Sequence, residues 1–120
     1  MPEVLLIDDN AIQLRIRETV LRDAGISVAC AGSAEDALAF LRSLPARVKV
    51  IVTDHVMPGA SGSVFVTRLR QLCPRVPVLV ISGMTEAEEE YSGLNVIFLR
   101  KPCPPGSLIR QVQTYLQNPP

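Results

Sequence analysis

Four short apolar runs recur along the chain, at Val4–Ile7, Val48–Val52, Val78–Ile81 and Val96–Leu99, with a weaker one at Ile26–Cys30. Each is too short for a helix and rich in Val, Ile, Leu or Ala. An unbroken apolar run, as opposed to an alternating one, suits a strand buried on both faces, as in a parallel sheet. Between the runs, apolar residues fall at helical spacing over Ala11–Ala24, Ala34–Leu44, Ser63–Leu72 and Pro105–Leu116, with a shorter stretch at Glu86–Tyr91. Gly25 supplies a stop signal after the first helix, and Ser33 an N-cap for the second. Pro74 and Pro77 bracket the exit from the third. Strand and helix therefore alternate from end to end, which predicts an α/β fold with a doubly wound parallel sheet of five strands and helices on both faces. In the first helix Ile12, Ile16 and Val20 make one stripe, and Leu14 and Leu21 lie nearly opposite. One stripe covers the sheet; the other either faces a partner or is buried in a crowded corner.

The chain has 120 residues, which suits one domain spanning 1–120, with 118–120 a frayed tail or the start of a linker. Hydrophobic residues make up 48% and charged residues 20%, the profile of a chain with a real core. Twelve basic and twelve acidic residues cancel, which argues against nucleic acid or an anionic membrane as the main partner. No apolar stretch is long enough to span a bilayer, and the start at Met1-Pro2-Glu3 does not resemble a signal peptide. A cytoplasmic module is expected. Cys30, Cys73 and Cys103 are widely spaced, and the one histidine is His55, so neither a zinc site nor a disulfide framework is expected. The three thiols should be buried or half-buried.

The chemistry gathers at the carboxyl ends of the expected strands, where ligands collect in open parallel sheets. Asp8 and Asp9 close the first strand, Asp54 the third, Ser82 the fourth, and Lys101-Pro102 the fifth. Taken singly, each has an ordinary reading: Asp9-Asn10 as a helix cap, Ser82-Gly83 as a turn, Lys101 as a solvated lysine. Taken together, they are chemically complementary. Crowded carboxylates repel one another and favour a divalent cation, and an oxygen-only donor set favours Mg²⁺. A carboxylate beside such a cation can attack phosphorus and form an acyl phosphate. Lys101 and Ser82 can meet the phosphoryl oxygens as a point charge and a hydrogen-bond donor.

With these residues in view, the segments "VLLIDDN", "VIVTDHVMPGASG", "VPVLVISG" and "VIFLRKP" resemble the receiver domain of response regulators and hybrid histidine kinases, from Val4 to Leu116. The resemblance implies a flavodoxin-like sheet in the order 2-1-3-4-5 and a place in two-component signalling. It implies that Asp54 is the phosphoacceptor. Asp8, Asp9, Asp54 and the backbone carbonyl of Val56 would bind Mg²⁺, and Lys101 would contact the phosphoryl group. Ser82 and Phe98 would form the switch, and the Lys101–Pro102 bond would be cis. The donor would be a phosphohistidine on a histidine kinase or a phosphotransfer protein, the readout a downstream protein target or self-association, and the chain not a turnover enzyme.

The span from Ser82 to Lys101 is a few residues short for such a domain. The helix there, fourth in order, should be short or irregular, with Glu86 and Glu88–Glu90 as a solvated acidic face. This shortening resembles receivers attached to hybrid kinases, whereas Met1 close to the first strand points to a free-standing protein or an N-terminal domain. Val56 and Met84 stand where the resemblance puts side chains that orient attacking water; both are apolar, which implies a long-lived aspartyl phosphate. Two other readings compete. A phosphorylation-independent receiver-fold binding module would leave the intact Asp8, Asp9, Asp54, Ser82 and Lys101 set without a use. A Mg²⁺-dependent phosphohydrolase would need an acid/base group where Val56 stands.

Overall fold

A computed structural model describes residues 2–43, 48–54, 62–83, 91 and 93–117. Five strands, β1 (Val4–Ile7), β2 (Val28–Ala31), β3 (Val50–Asp54), β4 (Val78–Ser82) and β5 (Val96–Arg100), form one parallel sheet in the order β2-β1-β3-β4-β5. Four described helices accompany it: α1 (Ala11–Asp23), α2 (Ala34–Ser43), α3 (Gly62–Leu72) and α4 (Pro105–Gln117). The expected α/β architecture and strand order are therefore present. The short helix expected at 86–91 falls outside the described residues, Tyr91 excepted.

The runs of β1, β3 and β4 are buried on both faces of the sheet, to which successive side chains point in turn, while β5 at the edge is half-buried over Val96–Phe98. Leu5, Ile7, Ile51 and Val80 pack with Ala37, Leu38 and Leu41 of α2 and Phe65, Val66 and Leu69 of α3. Their neighbours Val4, Leu6, Val50, Val52, Leu79 and Ile81 pack on the other side with Leu21 of α1 and Leu108 and Val112 of α4. In α1 the Leu14 and Leu21 stripe is the one that meets the sheet, while Ile12 and Ile16 remain 75% and 58% exposed.

Local signals set the ends of the elements. The Asn10 side chain accepts from the Gln13 N–H at 3.0 Å and starts α1; the Ser33 hydroxyl accepts from the Asp36 N–H at 3.0 Å at the start of α2. At the end of α1 the Gly25 N–H donates to the Arg22 carbonyl at 2.9 Å and the Ile26 N–H to the Leu21 carbonyl at 3.0 Å. That is a Schellman turn, with Gly25 at φ +83° and Leu21 and Ile26 in one apolar cluster. Because Ile26 belongs to this turn, β2 begins two residues later than the apolar run alone suggests. Among the thiols, Cys73 is buried and Cys103 half-buried, but Cys30 is exposed, on β2 at the edge of the sheet. The expectation of three covered thiols fails there.

Candidate functional site

Sheet register brings the strand ends together. Ile7 pairs with Thr53, so the next residue on each chain, Asp8 and Asp54, emerge side by side. Asp54 pairs with Ile81, and Ser82 with Arg100, so Ser82 and Lys101 follow in a staggered row; the Lys101 N–H donates to the Ser82 carbonyl at 3.0 Å. The Lys101–Pro102 bond is cis, as the resemblance implied. Asp8, Asp54 and Ser82 are buried, at 1%, 4% and 4% exposure. Asp9 is exposed at the rim. Asp8, Asp9, Asn10, Gln13, Asp54 and Lys101 line one hollow of about 230 Å³.

Two buried carboxylates this close need counter-charge or hydrogen bonds. Lys101 Nζ lies 2.9 Å from Asp54 Oδ2 and 3.3 Å from Oδ1. Asp8 divides its oxygens. Oδ1 accepts from the Asn10 N–H at 2.9 Å, which turns the chain into α1. Oδ2 accepts from Gln13 Nε2 at 2.6 Å and from Arg17 Nη1 at 2.8 Å. The same Gln13 nitrogen also donates to Asp54 Oδ2 at 2.7 Å, and Arg17 Nη1 lies 3.5 Å from that oxygen. Gln13 and Arg17 thus bridge Asp8 to Asp54. Sequence reasoning missed both. They sit four residues apart, on the polar strip between the two apolar stripes of α1, and the signal that could have found them is that i, i+4 spacing one turn beyond the Asn10 cap.

Of the other expected residues, Ser82 lies at the end of β4 beside this cluster. Phe98 is half-buried in β5, its ring edge-on to the buried Tyr91 at 5.3 Å between centroids. Val56, with its backbone carbonyl, lies outside the described residues, as do His55, Met84 and the acidic run. The carboxylate oxygens suit a hard divalent cation in kind. Among the described residues, however, no three Asp, Glu, His or Cys side chains are grouped to share one ion. Between Asp8 and Asp54 stand the nitrogens of Gln13 and Arg17, which already hold one oxygen of each carboxylate.

A sequence model of the response regulator receiver domain matches residues 4–113. The chain belongs to that family. Similar proteins agree. The hydrogenase transcriptional regulatory protein HoxA of Bradyrhizobium diazoefficiens is 33% identical over 118 residues, covering 95% of this chain and 24% of the relative. The chemotaxis response regulator CheY4 of Vibrio cholerae has a structure 30% identical, with a TM-score of 0.82 over 96% of this chain and 98% of that one. A receiver domain from Clostridium thermocellum superposes with a TM-score of 0.89 over 98% of this chain and 95% of that one; at 22% identity it speaks to the fold alone. The chain spans a quarter or less of the length of the first curated relatives it matches. Receiver domains belong to two-component signalling, are generally not turnover enzymes, and in general imply a histidine kinase or phosphotransfer partner. No helix among the described residues of this receiver domain is long and apolar enough to cross a membrane.

Proposed function

We propose that this receiver domain, acting as one unit over 1–120, accepts a phosphoryl group on Asp54 from a phosphohistidine of a histidine kinase or phosphotransfer protein. The observation that carries the reading is the buried Asp54 carboxylate, with the Lys101 ammonium at 2.9 Å and Asp8 joined to it through shared donors. In the transfer, an Asp54 oxygen bonds to phosphorus as the bond from phosphorus to the imidazole nitrogen breaks. The electron pair leaves with the imidazole, and Asp54 becomes an acyl phosphate. Lys101 offsets charge on the phosphoryl oxygens, and burial at the strand ends keeps the acceptor in one orientation. Asp8, Asp9, Asp54 and the Val56 carbonyl would hold Mg²⁺, which when bound neutralises charge on the phosphoryl group.

Once phosphate is attached, the Ser82 hydroxyl donates to a phosphoryl oxygen. Phe98, packed edge-on to Tyr91, follows inward and alters the surface around β4 and β5. That surface is read by a downstream protein or a second copy of the chain, in the cytoplasm, without direct contact to nucleic acid or membrane. The test is intact-mass measurement after incubation with acetyl phosphate and Mg²⁺. The expected result is a gain of one phosphoryl group in the native chain and none in Asp54→Asn. Equal incorporation in Asp54→Asn, or none in either, overturns the reading; the latter leaves a binding module that works without phosphorylation.

A further inference from the structure

We propose that Gln13 and Arg17 form a built-in cationic plug that occupies the place of the divalent cation between Asp8 and Asp54, so that metal binding requires them to withdraw. This inference rests on the cation site of the proposed function. One oxygen of each carboxylate, Asp8 Oδ2 and Asp54 Oδ2, is shared by the same two nitrogens. Gln13 Nε2 is 2.6 and 2.7 Å from them, and Arg17 Nη1 is 2.8 and 3.5 Å. Mg²⁺ takes its oxygen ligands at about 2.0–2.1 Å, so an ion on either carboxylate needs the space beside these oxygens. Gln13 Nε2 already lies within hydrogen-bonding distance of both, so side chain and ion cannot share the position.

Charge leads to the same conclusion. Asp8 and Asp54 carry two negative charges, and Arg17 and Lys101 two positive ones, so the buried part of the hollow is neutral before any ion arrives. Arg17 is itself mostly covered, with its side chain 12% exposed, so its charge is poorly screened. A divalent cation must therefore displace Arg17 or enter against it. There is room for the withdrawal. A cleft of about 290 Å³ between α1 and the start of α4 adjoins the site, lined by Gln13, Ile16, Arg17, Lys101, Cys103 and Leu108 among others. Arg17 can leave the carboxylates for this cleft by changing rotamer, because it already lines it.

Isothermal titration with Mg²⁺ and with Mn²⁺ on the native chain, Arg17→Met and Gln13→Ala tests the plug without using phosphorylation. Arg17→Met is expected to bind each ion at least tenfold more tightly than the native chain, with Gln13→Ala in between. In EDTA, Arg17→Met should melt on the order of ten degrees lower, because a buried carboxylate loses its partner. Mg²⁺ should restore much of that loss while moving the native melting point little. Equal affinity in all three proteins overturns the plug and leaves the cation site standing. No binding in any of them overturns both. If Arg17→Met is too unstable to titrate, Gln13→Ala alone decides: tighter binding supports the plug, and unchanged or weaker binding overturns it.

Discussion

Replacing Arg70 with Ala should destabilise this receiver domain more than any other exposed or half-exposed charge change on α3. The Arg70 guanidinium is half-buried and turned toward backbone carbonyls. Nε donates to Leu94 O at 2.9 Å and Nη2 to Asn95 O at 2.7 Å, while Nη1 is close to Val76 O and reaches Pro74 O and Cys73 O at 3.4 and 3.5 Å. These carbonyls come from the end of α3, the approach to β4 and the approach to β5, so one side chain ties three segments whose own ladders do not connect there. Burial holds the guanidinium below its ordinary pKa range. The three short bonds each contribute about 1 kcal/mol net, the value for an ordinary hydrogen bond and below that for a charged donor, because water reaches part of the group. The two long ones add little.

The expected loss is about 3 kcal/mol. A domain of this size loses roughly 4 °C per kcal/mol, so the melting point should fall by about 12 °C and the urea midpoint by about 1.5 M. Thermal and urea unfolding followed by far-UV circular dichroism measure both. Arg70→Lys, with one ammonium for three carbonyl directions, should recover about a third of the loss. Arg68→Ala, an exposed change on the same helix, should stay within about 0.5 kcal/mol of the native chain. A fall of less than 3 °C in Arg70→Ala, or one matched by Arg68→Ala, would refute the reasoning.

Gly25→Ala should cost about 1 kcal/mol, roughly 4 °C, from the φ of +83° alone, since an added Cβ meets nothing within 4 Å there; Gly32→Ala, with equal space and no positive φ, is the control that should unfold close to native. Cys30 is exposed, yet its thiol is pushed up to about 11, first by burial of the sulfur and then by the Glu18 carboxylate, against a smaller opposing pull from Arg22. A raised thiol pKa means less thiolate at pH 8, by about a hundredfold, partly offset by about a tenfold more nucleophilic thiolate. Iodoacetamide should therefore label Cys30 about tenfold more slowly than a free cysteine peptide, with a rate still climbing above pH 10; a plateau near pH 9, located by peptide mapping, would contradict this.

The strands were legible because a parallel sheet buried on both faces demands unbroken runs of apolar residues, and Val4–Ile7, Val50–Val52 and Val78–Ile81 meet that demand. Asp8, Asp54, Ser82 and Lys101 were legible because each is a polar residue that ends such a run, where a parallel sheet gathers its ligands. Other features depend on geometry that no residue type announces. The late start of β2 follows from a hydrogen-bond pattern that recruits Ile26. Arg70 binds carbonyls, which every residue carries, so its partners leave no trace in composition. Gln13 and Arg17 look like the solvated strip of an amphipathic helix until the Asn10 cap sets where α1 begins and how it is rotated over the sheet edge.

That rotation ties the fold to the chemistry through Asp8. One of its oxygens shapes the turn from β1 into α1, and the other shares its donors with the Asp54 carboxylate. The turn determines where Gln13 and Arg17 point, and those side chains in turn satisfy the oxygen that the turn leaves over. Neither arrangement stands without the other: a buried carboxylate lacking its donors would be among the most costly groups in the domain, and a helix rotated by one residue would carry Arg17 away from both acids. The groups suited to handling phosphorus are thus held by contacts that also stabilise the resting fold. Any event that takes these carboxylates for another use must break contacts made by α1, the ones from Gln13 and Arg17.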